Sequence, residues 1–173
     1  MMSPASLPAP HLEPVSAYIG VGSNLADPVH QVTSALNRLD AFPGTRLIAR
    51  SNLYRSPPFG HLDQPDFINA VAHIETVLDP ETLLSELLSL EQAHGRVRLF
   101  ANGPRTLDLD ILMYGTECRQ NARLTLPHPR LAQRSFVLLP WLDVAPETLM
   151  IPGQGTIARL LSTCPGPPAL PLP

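Results

Sequence analysis

The residues best placed to do chemistry lie in the run Gly103-Pro104-Arg105-Thr106-Leu107-Asp108-Leu109-Asp110-Ile111. As a strand, its period of two puts Asp108 and Asp110 on one face and Leu107, Leu109 and Ile111 on the other. Carboxylates two strand steps apart are about 7 Å from each other. They repel unless cations lie between them. An oxygen-only pair suits a hard cation such as Mg²⁺, which keeps several waters and shares itself with phosphate oxygens. The bland alternative is a solvated strand face, and the surroundings argue against it. Residues 96–134 hold seven of the 12 basic residues (Arg96, Arg98, Arg105, Arg119, Arg123, Arg130 and Arg134) against three acids (Asp108, Asp110 and Glu117). That segment carries +4, so the rest of the −3 chain carries −7. A field of guanidinium groups around two metal-fixing carboxylates is what a metal–polyphosphate complex needs.

Every one of the 12 basic residues is arginine; the chain has no lysine. A Schiff-base lysine, a P-loop lysine and a kinase-type strand lysine are thereby excluded. Anions must be met by Arg, His or backbone N–H.

A second group is Phe67 and Asn69, on the opposite strand face from Ile68 and Ala70. A ring can cover a flat heterocycle while a carboxamide, donor and acceptor together, reads its edge. The stiff loop Ser56-Pro57-Pro58-Phe59-Gly60 precedes that strand, and Phe136 is a candidate for the other side of an aromatic sandwich. His128 lies between two prolines, in loop, where it could donate to a phosphate alongside Arg123 and Arg134. The other five histidines have no metal-ligand spacing. Gly20-Val21-Gly22 resembles the opening of a dinucleotide fingerprint, but Leu25 stands at the third glycine position. It reads as a tight turn at a strand end leading to Ser23-Asn24.

The elements that must position these residues are legible in outline. Residues 17–22 read as a buried strand. Asp27-Pro28 is a helix cap followed by proline at the first helical position, with Val29, Val32, Leu36 and Leu39 at helical spacing up to Pro43-Gly44. A strand follows at 47–55, then the proline loop, then a long strand at 67–77. Asp79-Pro80 opens a second helix carrying Leu83, Leu84, Leu87, Leu88 and Leu90, closed by Gly95. Residues 96–105 are loop and 106–114 a strand. Helices are expected at 129–140 and 156–162. The order predicts an α+β fold with a ferredoxin-like β-α-β-β-α-β core, a mainly antiparallel sheet with helices on both sides.

The chain has 173 residues, room for one domain of ordinary size, expected over 15–164. Residues 1–14, with four prolines and no periodicity, read as a disordered lead-in, and 165–173 as a proline-rich tail; removing 1–14 and 166–173 is expected to leave stability and activity unchanged. Two cysteines provide neither a disulfide framework nor a zinc spacing, so a reducing, cytoplasmic setting is expected. No apolar run approaches the length of a membrane span, and the net charge of −3 does not suit a nucleic-acid binder.

Five runs, in order, carry a closer likeness: Tyr18-Ile19-Gly20-Val21-Gly22-Ser23-Asn24-Leu25, Tyr54-Arg55-Ser56-Pro57-Pro58, Gln64-Pro65-Asp66-Phe67-Ile68-Asn69, Gly103 to Asp110, and Pro127-His128-Pro129. Together the chain resembles the 6-hydroxymethyl-7,8-dihydropterin pyrophosphokinase family from about residue 17 to 162. The resemblance implies transfer of pyrophosphate from ATP to the pterin hydroxymethyl group, with release of AMP, in folate biosynthesis. It implies two Mg²⁺ ions on Asp108 and Asp110, and a pterin pocket of Ser56, Pro58, Phe59, Phe67, Asn69 and Phe136. It implies an ATP site of Glu91, Arg98, Arg105, Ile111, Arg123, Leu124, Thr125, His128 and Arg134. Arg96 and Arg105 match catalytic arginines on loops that close over the nucleotide. Three features depart from the family pattern: the 98–103 loop is one residue shorter, Asn102 stands where an aromatic often covers the pterin, and Pro129 replaces an aromatic. The expected partners are these small molecules, with no nucleic acid or membrane, and the expected state is a monomer. The competing readings are a metal-dependent phosphohydrolase, which would consume ATP without an acceptor, and a ferredoxin-like RNA-binding module. The latter would want exposed aromatics in a basic Gly-Phe-type run, which is missing.

Overall fold

The computed structural model describes residues 13–58, 60–96 and 100–173. Most of the lead-in, Phe59 and Arg98 lie outside the described residues.

Alternating apolar residues build the sheet, and capped helices cover it. Strand β1 is Val15–Ser23. Helix α1, Pro28–Leu39, begins where the Asp27 carboxylate accepts from His30 N–H, and buries Val32, Ala35, Leu36 and Leu39. Strands β2 (Thr45–Arg50) and β3 (Tyr54–Ser56) both pair antiparallel with β4 (Phe67–Thr76). The sequence reads 47–55 as one strand; here it is broken at Ser51. There the hydroxyl enters the ladder: Ser51 N–H donates to Val71 O at 2.9 Å, while Ser51 Oγ accepts from Val71 N–H at 2.9 Å. Helix α2, Pro80–Ala93, starts at Asp79, whose carboxylate accepts from Thr82 N–H at 2.9 Å, and buries Leu83, Leu87 and Leu90. Strand β5, Asp108–Tyr114, pairs antiparallel with β1.

The sheet therefore runs β3-β4-β1-β5, with β2 beside β4 as well, and all of its pairings are antiparallel. This is the expected β-α-β-β-α-β arrangement. One core lies between the sheet and α1 and α2, joining Ile19, Ile68, Ala70, Ile74, Leu109 and Ile111 to the helix leucines. A second core lies on the other face, where Tyr18, Val71, Leu112 and Met113 meet Leu138, Trp141, Ile157 and Leu160.

After β5 come a hairpin of β6 (Arg119–Gln120) and β7 (Thr125–Leu126), and one 3₁₀ turn at Leu131–Gln133. Then follow α3 (Ser135–Leu142), a hairpin of β8 (Met150–Ile151) and β9 (Gly155–Thr156), α4 (Ile157–Ser162) and β10 (Leu170–Pro171). The expected helix at 129–140 is thus two pieces. Arg134 breaks it, with φ −122 and ψ 85, and its N–H turns back to Leu131 O. Among the described residues no helix is long and apolar enough to cross a membrane.

Residues 165–173 need a correction: they do not hang free. Leu170 and Pro171 pair with Arg55 and Tyr54 at the sheet edge, Leu172 N–H donates to Leu53 O at 2.8 Å, and Ala169 is buried. An edge strand tolerates proline because one side of it makes no ladder bonds.

Candidate active site

Cross-strand register arranges the site. Asp108 on β5, Gly22 on β1, Asn69 on β4 and Tyr54 on β3 are successive partners, so they form one row across four strands. Asp110, Gly20 and Val71 form the next row, and Phe67 pairs with Ser56 beyond Asn69. Partners share a face, here the one covered further along by α3 and α4. Strands are spaced about 4.8 Å apart, so Asn69 and Asp108 stand about 10 Å apart with only a glycine between them.

That gap is a slot. A Cβ at position 22 would meet Asn69 Oδ1 at 3.0 Å, and one at position 20 would meet Leu112 Cδ2 at 3.2 Å. Gly20 and Gly22 are therefore the floor of a cavity inside a central strand, not the turn expected from sequence. Two glycines at period two within a buried strand were the available signal. Ser56, Pro57, Phe67, Asn69, Asn102 and Phe136 wall the slot, and Asp108 and Asp110 stand at its end. Of the residues expected for a flat ligand, Ser56, Phe67, Asn69 and Phe136 are brought together here. Pro58 instead lines a small cleft behind the slot, and Pro57 takes its place. Asn69 Nδ2 donates to Ser56 Oγ at 2.7 Å, which fixes the amide with its oxygen over Gly22.

Two further cavities open from the same carboxylates. One is lined by Arg96, Asn102, Arg105, His128 and Arg134. The other is lined by Glu91, Ile111, Arg123, Leu124, Thr125 and His128, joined by Leu84 and Leu88 of α2. Six of the expected nucleotide residues thus share one cavity, while Arg105 and Arg134 border the other two. Leu84 and Leu88 escaped the sequence reading because leucine in a helix ordinarily means core. Asp108 and Asp110 line all three spaces.

Charge is balanced unevenly across the pair. Asp108 Oδ1 accepts from Arg96 Nη1 at 2.7 Å and its Oδ2 from Arg105 Nη1 at 2.8 Å. Asp110 has Arg134 Nη1 at 3.8 Å. Burial opposes ionisation of Asp108, but the Arg105 and Arg96 guanidiniums outweigh it and hold the carboxyl below its usual range. For Asp110, burial and then the Asp108 charge push the carboxyl up to about 7. Burial and Arg134 pull His128 down to about 4, so it is neutral near pH 7. Its Nδ1 accepts from Arg130 N–H, leaving the proton on Nε2 as a donor. The Nε groups of Arg96 and Arg134 are buried without a partner among the described residues, a state that an arriving anion would relieve.

Three loops are held in register by Asn24 and Gln64, to which the sequence reading gave no role. Arg105 N–H donates to Asn24 Oδ1 at 2.9 Å, and Asn24 N–H to Arg105 O at 3.1 Å. Asn24 Nδ2 reaches Gln64 Oε1 at 2.9 Å, and Gln64 Nε2 reaches Asn102 O at 2.8 Å. Arg96 is braced by the buried Glu91, whose Oε1 also accepts from Leu109 N–H at 2.8 Å. Arg105 lies over the Phe67 ring and Arg134 over Phe136, at 5.6 and 5.7 Å, which ties the cations to the slot walls.

The donor set fits Mg²⁺. Among the described residues no three His, Cys, Asp or Glu side chains gather as a metal cage. Two carboxylates alone leave most of an ion's coordination to water and phosphate, which is the habit of Mg²⁺.

Residues 18–146 match the family model described as 7,8-dihydro-6-hydroxymethylpterin-pyrophosphokinase (HPPK). A 2-amino-4-hydroxy-6-hydroxymethyldihydropteridine pyrophosphokinase of Haemophilus influenzae is 48% identical over 147 residues, 85% of this chain and 91% of that protein. Its namesake from Pseudomonas aeruginosa is 46% identical over 148 residues, covering 86% and 91%. Among solved structures, HPPK-DHPS A437G of Plasmodium falciparum shares the fold, with a TM-score of 0.68 at 15% identity over 87% of this chain. The chain spans less than half, 45%, of that longer protein.

Proposed function

We propose residue roles from one premise: the chain belongs to the 7,8-dihydro-6-hydroxymethylpterin-pyrophosphokinase family. It is an ATP-dependent transferase that moves pyrophosphate from ATP to the hydroxymethyl group of 6-hydroxymethyl-7,8-dihydropterin, releasing AMP, in folate biosynthesis. The observation that supports the roles is the meeting of three cavities at Asp108 and Asp110.

In this reading the pterin lies flat over Gly22 between Phe67 and Phe136, its edge read by Asn69. Its hydroxymethyl group then reaches the carboxylate end of the slot. The nucleoside of ATP sits against Ile111, Leu124 and Thr125, beside Leu84 and Leu88, and the triphosphate crosses the arginine-lined space. Asp108 and Asp110 would hold Mg²⁺, two ions in this reading; bound there, the metal supplies charge neutralisation along the triphosphate and acidifies the attacking hydroxyl. Arg96, Arg105 and Arg134 meet the charge that develops on the phosphate oxygens and on departing AMP. The hydroxyl attacks the β-phosphorus in line; its O–P bond forms as the bond to the AMP oxygen breaks, and its proton passes to water. Neutral His128 donates from Nε2 without adding charge. Arg96 and Arg105, drawn over the bound triphosphate, would exclude water, which would otherwise compete as acceptor. The working unit is a monomer in the cytoplasm.

Chromatography of nucleotides after incubation with and without the pterin tests the reading. AMP is expected, and only when the pterin is present. ADP as main product would mean simple phosphoryl transfer. Nucleotide breakdown at the same rate without pterin would favour the phosphohydrolase.

Asn69→Ala will weaken pterin binding by about 1–3 kcal/mol, because ring polar groups and Ser56 Oγ lose a buried partner. ATP binding should hold. Calorimetry with each ligand checks this, and equal losses would remove Asn69 from the pterin's edge.

A further inference from the structure

The segment from Pro165 to Leu172 touches both walls of the slot. On one side β10 pairs with β3, Leu170 opposite Arg55 and Pro171 opposite Tyr54. Strand β3 ends at Ser56, and Ser56 and Pro57 form that wall. On the other side Ser135 Oγ donates to Pro167 O at 2.9 Å, and Ser135 is the neighbour of Phe136 in the first turn of α3. Between the walls, Pro165, Gly166 and Pro167 close the small cleft behind Pro57, Pro58 and Phe136. The far end is well anchored: Ala169 is buried and Leu172 packs into the core beneath α1 and α2.

The two ends of α3 are held differently. At its C-terminal end Asp143 Oδ2 accepts from Tyr54 Oη at 2.9 Å and from Asn52 N–H at 3.1 Å, tying the helix to the sheet. At its N-terminal end, where Phe136 sits, Ser135 is tied to Pro167, beside Arg134, which faces Asp110 at 3.8 Å and lies over the Phe136 ring. Proline at 165, 167, 168 and 171 stiffens this connection.

We propose that residues 165–172 are a positioning strap for the flat-substrate slot, setting the spacing of Phe136 from Ser56 and Pro57. The inference rests on assigning that slot to the pterin. A ring held between two walls keeps its dispersion contacts only at the right spacing, because a gap of half an ångström to an ångström already forfeits a large share of them. None of residues 165–172 lines the Leu124–Thr125 cavity, so the strap's effect falls on one substrate.

Three variants in steady-state kinetics decide the matter. Ser135→Ala cuts the tie while leaving α3 with a better helix former. It is expected to raise KM for the pterin about fivefold, the effect of one lost hydrogen bond, with KM for ATP and kcat within about twofold. Ser135→Thr restores the hydroxyl and should restore KM. Ending the chain at Cys164 should raise pterin KM at least tenfold; if that protein fails to fold, the Ser135 pair carries the test. A lower melting temperature with both KM values unchanged, or equal rises in both, overturns the strap. Phe136→Ala separates this from its premise. If Phe136→Ala raises pterin KM and Ser135→Ala does not, the strap is wrong. If Phe136→Ala leaves it unchanged, the slot is not the pterin's and both readings fall.

Discussion

Asp110→Ala will lower turnover at least a hundredfold, about 2.7 kcal/mol of barrier, and will not lower the melting temperature. The carboxylate stands where three cavities meet and, in the proposed roles, supplies half of the protein's share of the metal site. Its contribution to the fold is small. Its cationic neighbour is 3.8 Å away, and burial together with the Asp108 charge makes its ionised form unfavourable. Removing it relieves repulsion. Asp108→Ala should be equally inactive but less stable, because it strands the Arg105 guanidinium and leaves Arg96 with Glu91 alone. From sequence the two aspartates look equivalent; the arginines make them different. Turnover and thermal melting of both variants test this. More than about a tenth of activity in either one, only ~1.4 kcal/mol of barrier, would remove it from the metal site.

What the sequence disclosed depended on how local the signal was. Asp27-Pro28 and Asp79-Pro80 announced two helices because cap and proline act within one turn, and both side chains do cap. The faces of Asp108 and Asp110, and of Phe67 and Asn69, followed from strand period alone. The row that joins them did not, since it depends on cross-strand register, and the glycines that open the slot show nothing as side chains. The β6–β7 hairpin brings Leu124 and Thr125 to the cavity proposed for the nucleotide, and its two-residue strands are too short for any alternation to register. Instead it is held to α2 by Arg119 and Arg123 on Glu81, contacts about 40 residues apart in the chain. The Pro165–Pro173 segment looked dispensable because its composition forbids helix and inner strand; it uses the one place in a sheet that proline permits. Asn24 and Gln64 looked like loop residues, and their importance lies in which backbone groups the fold brings to them.

Gly22→Val will block pterin use while leaving the fold and ATP binding in place. The backbone at this position tolerates a side chain: Gly22 lies inside the β1 ladder and is not among the residues with positive φ. Glycine within a strand costs entropy, and valine is a strong strand former. Within 4 Å the new Cβ would meet only Asn69 Oδ1 at 3.0 Å and Ile68 O at 3.9 Å, so a small shift of one amide accommodates it. The melting temperature should then stay within the 2–4 °C that about 1 kcal/mol gives in a chain of this size. The two methyl groups, however, stand up from the slot floor midway between Asn69 and Asp108, where the flat ring must lie. Activity at a fixed pterin concentration should fall at least a hundredfold, about 2.7 kcal/mol. ATP binding by calorimetry should change by less than about twofold, because Gly22 does not line the cavity proposed for the nucleoside. Gly20→Ala makes the contrast, since its Cβ would press on Leu112 at 3.2 Å beside the second core, where the cost falls on packing. Normal pterin kinetics in Gly22→Val would mean that the acceptor binds elsewhere, and loss of ATP binding would mean that the slot belongs to the nucleotide.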